Sequence, residues 1–256
     1  MVGKSRESVI FAPMKYLLRL AYKGTNYSGW QRQPNVTSVQ GVLEDAVKKL
    51  VGKKTNVIGC GRTDAGVHAR QYFAHIRVDE PLPAKATYKL NNILPNDISI
   101  FDIKEADPKF HAQTSAKSRT YEYYVHYQKN AFLSEISSFY FNKDWDIEKV
   151  KAATALLLRY DNFRAFCKQP DSHNHTYCNL TRAFVKINET TGSLHFTFTS
   201  NRFLKNMIRI LVGNIMAVGH GRLSLEDFEK SLLTGEPLPF WNLAPPEGLF
   251  LTGVEY

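Results

Sequence analysis

Three observations predict an α+β fold in two halves. The first hundred or so positions read strand, helix, strand, strand, helix, strand, the split-βαβ order of ferredoxin-like units. The remainder mixes strands and helices again, echoing that order without repeating its residues. At 256 residues the chain is long enough for two such units and a sizeable core. We therefore expect two ferredoxin-like halves, 15–108 and 109–256, joined near Lys109.

The elements follow from periodicity. Residues 16–22 are an apolar run that predicts the first strand, and a loop with two glycines, Trp30 and several polar groups occupies 23–34. Thr37 and Gln40 have capping-box spacing, and Val39, Val42, Leu43, Ala46, Val47 and Leu50 then recur at three and four, one face of a helix that Gly52 ends. Val57 opens a short strand, 73–78 alternates as the next with His75 and Arg77 on one face, 84–94 fits a helix stopped by Pro95, and 98–103 is a fourth strand. In the second half, 119–127 is β-rich and 139–141 fits a short strand. Val150, Ala153, Leu156, Leu157 and Tyr160 share a face of a helix over 147–160. A hairpin spans 180–187 and 194–199, helices are expected over 204–218 and 225–233, and 249–254 is a closing strand.

Composition narrows the class. The chain is 43% hydrophobic and 22% charged, which argues against disorder. A net charge of +9 points to a polyanionic partner, and the 13 Tyr and 16 Phe interleave with the basic residues as stacking platforms for bases do. No apolar run approaches the ~18 residues of a membrane span, and the N-terminal segment is too polar for a secretory signal. Three cysteines, an odd count, fit free thiols in a reducing compartment, so we expect a cytoplasmic protein. Gly3-Lys4-Ser5 looks like the tail of a phosphate-binding loop but lacks the upstream glycine and a preceding strand.

The chemistry concentrates in 57–69. An apolar Val57-Ile58 breaks into glycines at 59, 61 and 66, with Arg62, Asp64 and His68 between them. A strand running into a glycine-studded loop presents side chains at a sheet end. Arg62 and Asp64, two apart, leave the same face of an extended backbone and form either an ion pair within a turn or an active site. Arg209 falls on the helix expected over 204–218, Arg202, Lys205 and Arg209 are spaced three and four as a basic stripe, and a carboxylate that must stay ionised in a cleft wants such a cation. Cys167, His173, His175 and Cys178 lie close together, but their spacing matches no standard zinc site and reads better as a variable loop.

The run Gly61-Arg62-Thr63-Asp64-Ala65-Gly66-Val67-His68 resembles the signature of the TruA family of tRNA pseudouridine synthases. Similar family runs stand at Tyr22 to Gln31 (Y-x-G-x-x-Y-x-G-W-Q), Arg119-Thr120-Tyr121-Glu122-Tyr123 (R-x-Y-x-Y), Phe203 to Gly213 (F-x-x-x-M-x-R-x-x-V-G) and Glu247-Gly248-Leu249-Phe250-Leu251 (E-G-L-Y-L). The resemblance covers roughly 15–256. It implies that the two halves share one continuous mixed, largely antiparallel sheet with helices on one side and the cleft between the halves. It also implies Asp64 as catalytic carboxylate, Arg209 as its partner, Tyr121 on the target base, Arg62 holding the flipped nucleotide and Leu249 lining the base pocket. The implied activity is conversion of uridine to pseudouridine at positions 38, 39 and 40 of the tRNA anticodon stem-loop by a homodimer, without metal or cofactor. The chain departs from the family before Lys15 and at Lys205-Asn206, where many relatives carry histidines. The alternatives are a catalytically silent RNA-binding protein or tRNA chaperone, against which the carboxylate beside phosphates argues, and a metal-dependent nuclease, against which the lack of clustered acidic ligands argues.

Overall fold

A computed structural model describes residues 13–141, 144–238 and 242–256; Gly3-Lys4-Ser5 and the rest of the N-terminal segment to residue 12 lie outside the described residues. The described chain is α+β, with nine strands in one mixed sheet and five α-helices. The strands are β1 (Met14–Tyr22), β2 (Ile58–Gly59), β3 (His68–Val78), β4 (Ile98–Glu105), β5 (Ser118–His126), β6 (Ser138–Phe139), β7 (Leu180–Asn188), β8 (Ser193–Ser200) and β9 (Leu249–Glu255). The helices are α1 (Val39–Val51), α2 (Ala86–Ile93), α3 (Ile147–Leu156), α4 (Met207–Gly219) and α5 (Leu225–Thr234).

Across the sheet the order is β4-β1-β3-β9-β5-β8-β7, with β2 paired to β3 and β6 to β5. The last strand is therefore central. It runs parallel to β3, with His68 opposite Phe250, and antiparallel to β5, with Tyr123 opposite Leu249. Its side chains serve two apolar cores. Leu251 and Val254 join the core formed by Leu18, Leu20, Tyr72, Ala74 and Ile76 under Val39, Leu43 and Val47 of α1 and Leu90 of α2. Leu249 joins the other, formed by Tyr123, Val125, Phe196 and Phe198 under α3, α4 and α5. Each such buried side chain contributes about 1.5–3 kcal/mol relative to its exposed state.

Period-2 burial on the strands confirms the alternation read from sequence, and several boundaries move. The cap of α1 is Ser38, whose hydroxyl accepts from Gly41 N–H at 3.2 Å, and not Thr37. The Thr37 carbonyl accepts from Ser28 N–H, while the Gln40 side chain accepts from Arg32 N–H and donates to the Val57 carbonyl, so the expected capping box does not form. Strand β3 begins at His68, five residues before the alternation shows it, because its opening residues pair with β9 rather than a local neighbour. Helix α3 tightens after Leu156 into a 3-10 turn, Leu157–Arg159.

Helix α4 starts at Met207 because Asn206 before it is left-handed, φ 60°. This dissolves the expected basic stripe: Arg202 meets His175 at 3.1 Å, Lys205 donates to Gln169 at 2.7 Å, and Arg209 alone of the three lies on the helix. Every other α4 residue is buried. A helix apolar all round is a core helix, so its single half-buried cation stands out.

Candidate active site

The loop between β2 and β3 is held from behind by the 23–34 segment. Trp30 N–H donates to the Thr63 carbonyl at 3.1 Å, the Tyr22 and Thr63 hydroxyls are 2.8 Å apart, and Gly66 N–H donates to the Tyr27 carbonyl at 3.2 Å. Trp30 stacks on Tyr72 at 4.1 Å, and the Tyr72 hydroxyl donates to the Gly61 carbonyl. Backbone crosses backbone so closely that a Cβ at Gly24 would fall 2.0 Å from the Val67 carbonyl oxygen, and one at Gly29 (φ +88°) 2.5 Å from that of Thr63. The 23–34 loop thus has an inward half and an outward half: Tyr27 and Trp30 are buried braces, and Gln31, Arg32 and Gln33 are exposed.

His68 closes the other end. Its Nδ1 accepts from Gly24 N–H at 2.9 Å, which leaves the proton on Nε2 to be donated to the Glu247 carbonyl at 3.1 Å. Burial pushes its pKa down to about 4, so this residue of the signature is a neutral structural clamp at neutral pH.

In this frame Asp64 projects toward the N-terminus of α4. Its Oδ2 accepts from the Asn206 side-chain amide at 2.5 Å and lies 3.5 Å from Arg209 Nη1. Arg209 is fixed in turn, since Nε donates to the Ala244 carbonyl at 2.7 Å and Ala244 N–H donates back to the Arg209 carbonyl at 3.0 Å. The carboxylate keeps 34% exposure and the guanidinium only 12%, so the anion faces the opening and the cation backs it.

Tyr121 meets the Phe203 ring edge-on at 5.2 Å and packs against both cores. Burial, with the nearby Cys60 thiol and Asp64 carboxylate adding to it, holds its phenol protonated far above the ordinary range. Asp64, Arg209 and Tyr121, expected together, thus converge, and Asn206 joins them. Arg62 is exposed, with no hydrogen bond or ion pair among the described residues, and is free for a ligand. Leu249 is 6% exposed in the core opposite Tyr123. Sequence reasoning also missed Arg119, which spans four loop carbonyls, those of Ala116, Asn201, Cys60 and Gln113.

Elsewhere, Cys167 and Cys178 are buried in the core and His175 faces Arg202. Among the described residues no three His, Cys, Asp or Glu side chains converge as metal ligands do. No described helix is long and apolar enough to cross a membrane. A cleft of about 720 Å³ is lined by Lys15, Lys54, His75, Arg77 and Lys109. It opens on the sheet face opposite the helices and takes no part in this constellation.

The site is thus a carboxylate approached by a guanidinium and an amide beside a partly buried tyrosine. A sequence profile described as tRNA pseudouridine synthase matches residues 153–256. Over 94% of its length the chain is 39% identical to the tRNA pseudouridine synthase A of Porphyromonas gingivalis, spanning 97% of that protein. It is 38% identical to that of Bacteroides fragilis and 35% to that of Caldicellulosiruptor bescii, again over 94% of the chain and spanning 96% and 98% of those relatives. The chain belongs to the tRNA pseudouridine synthase A (TruA) family, and is therefore an isomerase that pseudouridylates tRNA.

Proposed function

We propose that this enzyme converts uridine to pseudouridine at positions 38, 39 and 40 of the tRNA anticodon stem-loop, with Asp64 as the catalytic carboxylate. The observation that carries the reading is the half-exposed Asp64 backed by Arg209 at 3.5 Å at the end of a loop braced on all sides. The reaction breaks the N1–C1′ bond, turns the base and joins C5 to C1′. The proton on C5 is lost and N1 gains one, so no redox partner or added group is needed. A single ionised carboxylate is suited to the glycosyl transfer, whether it attacks or stabilises charge. A stem uridine must first leave the helix stack. In this reading the exposed Arg62 holds the extruded nucleotide, Tyr121 stacks on the base, worth about 1–3 kcal/mol, and Leu249 lines the pocket from the core side.

The same reading makes residues 15–108 and 109–256 two halves flanking the site. It makes the active form a homodimer, on which a +9 chain doubles its field and one tRNA spans both protomers. Three unpaired thiols suit the cytoplasm.

Tritium release from tRNA carrying 5-tritiated uridine tests the chemistry, because C5 must lose its hydrogen. Wild type releases tritium from anticodon-arm uridines, and Asp64→Asn binds tRNA without release. Binding without release by wild type would instead mark a silent RNA-binding protein. Release by both proteins would remove Asp64 from the centre.

A further inference from the structure

The amide of Asn206 donates to Asp64 Oδ2 at 2.5 Å, across 142 residues of sequence. An ionised carboxylate only accepts, so it is the NH₂ end that faces it. Arg209 Nη1 approaches the same oxygen at 3.5 Å, too far for a direct hydrogen bond. Asp64 Oδ1 has no hydrogen bond or ion pair among the described residues. The two oxygens of one carboxylate are therefore unequal: one is tethered and the other is not.

We propose that Asn206 is the positioning residue of this site, taking up Oδ2 so that Oδ1 is the oxygen presented to the substrate. The proposal rests on Asp64 being the catalytic carboxylate. Two costs show that the bond is built in. Asn206 sits at φ 60°, a region that costs an L-residue about 1–2 kcal/mol and that Asn tolerates better than most. It also occupies the cap position of α4 without capping it, its amide being directed to Asp64 instead. An Asn at that position ordinarily contributes about 1 kcal/mol by bonding its own helix. A neutral donor suits the task, because it fixes the carboxylate without cancelling the charge that the reaction uses. Arg209 alone cannot do the same: its Nε is committed to Ala244, and at 3.5 Å its Nη1 supplies charge with little directionality. The titratable and charged groups facing the carboxylate are Arg209 from α4 and Tyr121 from β5.

The test compares wild type, Asp64→Asn, Asn206→Gly, Asn206→Asp and Asn206→His by tritium release from tRNA across pH, with thermal melts of each. Glycine keeps the left-handed backbone without strain and removes only the amide. We expect kcat to fall about 10- to 100-fold, as on loss of an outer hydrogen-bond partner that orients a functional group, with KM for tRNA within about twofold. Asn206→Asp should fall further and move the acid limb of kcat to higher pH, since two adjacent carboxylates share a proton. Asn206→His restores a donor and should recover most of the rate at neutral pH. Wild-type kcat and pH profile in Asn206→Gly would overturn the proposal. So would equal losses in Asn206→Gly and Asn206→His tracking a lowered melting temperature, which would mean a purely structural role. No release by wild type, or release by Asp64→Asn, would instead overturn the reading of Asp64 itself.

Discussion

At the scale of the residue, the signature loop divides into side chains left accessible from solvent and side chains that hold the loop. Asp64 and Arg62 belong to the first group and His68 to the second. The His68 ring stacks on Phe250 at 4.5 Å while bonding Gly24 and Glu247, so it must be neutral to stay. Its folded-state pKa of about 4 lies below the ordinary 6.5. Between those values the unfolded chain binds the extra proton, so the stability contributed by neutral His68 is complete above about pH 6.5 and drains away as pH falls toward 4. His75, pushed down to about 4 by burial first and by neighbouring His111, Lys15 and Arg77 second, acts in the same direction. His68→Ala should cost about 1–3 kcal/mol at pH 7.5, since it strands a buried N–H and a carbonyl. Melts at pH 7.5 and 4.5 should show the gap to wild type narrowing at the lower pH; a constant gap would assign the loss to packing alone.

At the scale of the element, the 23–34 loop is the mould of the loop that carries Asp64. Its glycines are required where backbone meets backbone. Gly29→Ala combines a positive φ with a contact of 2.5 Å to the Thr63 carbonyl oxygen, one residue from Asp64, whereas Gly52, at φ +78° after α1, has nothing within 4 Å. Both substitutions carry the left-handed penalty of about 1 kcal/mol. Gly29→Ala alone must also displace the loop that carries Asp64, so on the proposed reading tritium release should fall at least tenfold there and stay near wild type in Gly52→Ala. Equal activity in the two would mean the loop adapts. The same scale explains the misplaced cap. Thr37 and Ser38 are both good caps by type, and what chose Ser38 was the engagement of the Thr37 carbonyl by Ser28, a contact between loop segments nine residues apart that no periodicity reports.

At the scale of the whole molecule, β9 is the element on which everything converges. It lies between β3 and β5 and buries Leu249 in one core and Leu251 and Val254 in the other. The 3-10 turn before it, Pro246–Gly248, is held to His68 through Glu247. Calorimetry should therefore show one cooperative transition for the full chain. Removal of 249–256 should abolish it, since it opens the sheet at its centre. Two separable transitions in the full chain would show that the cores melt independently.

Local information sufficed for much of this. Glycine spacing and the polar run at 61–68 marked the loop that carries Arg62 and Asp64, the family resemblance picked Asp64 from it, and three-and-four spacing put Arg209 on a helix, because backbone freedom and amphipathic period are properties of neighbouring residues. The α+β class followed for the same reason. The strand order, with the last strand in the middle, was settled by pairings between segments more than a hundred residues apart. So was the meeting of Asp64 with Asn206, an asparagine that sequence marked only as a departure from a familiar pattern. Those contacts follow from which apolar faces bury against each other over the whole chain, and no window of neighbouring residues contains that information.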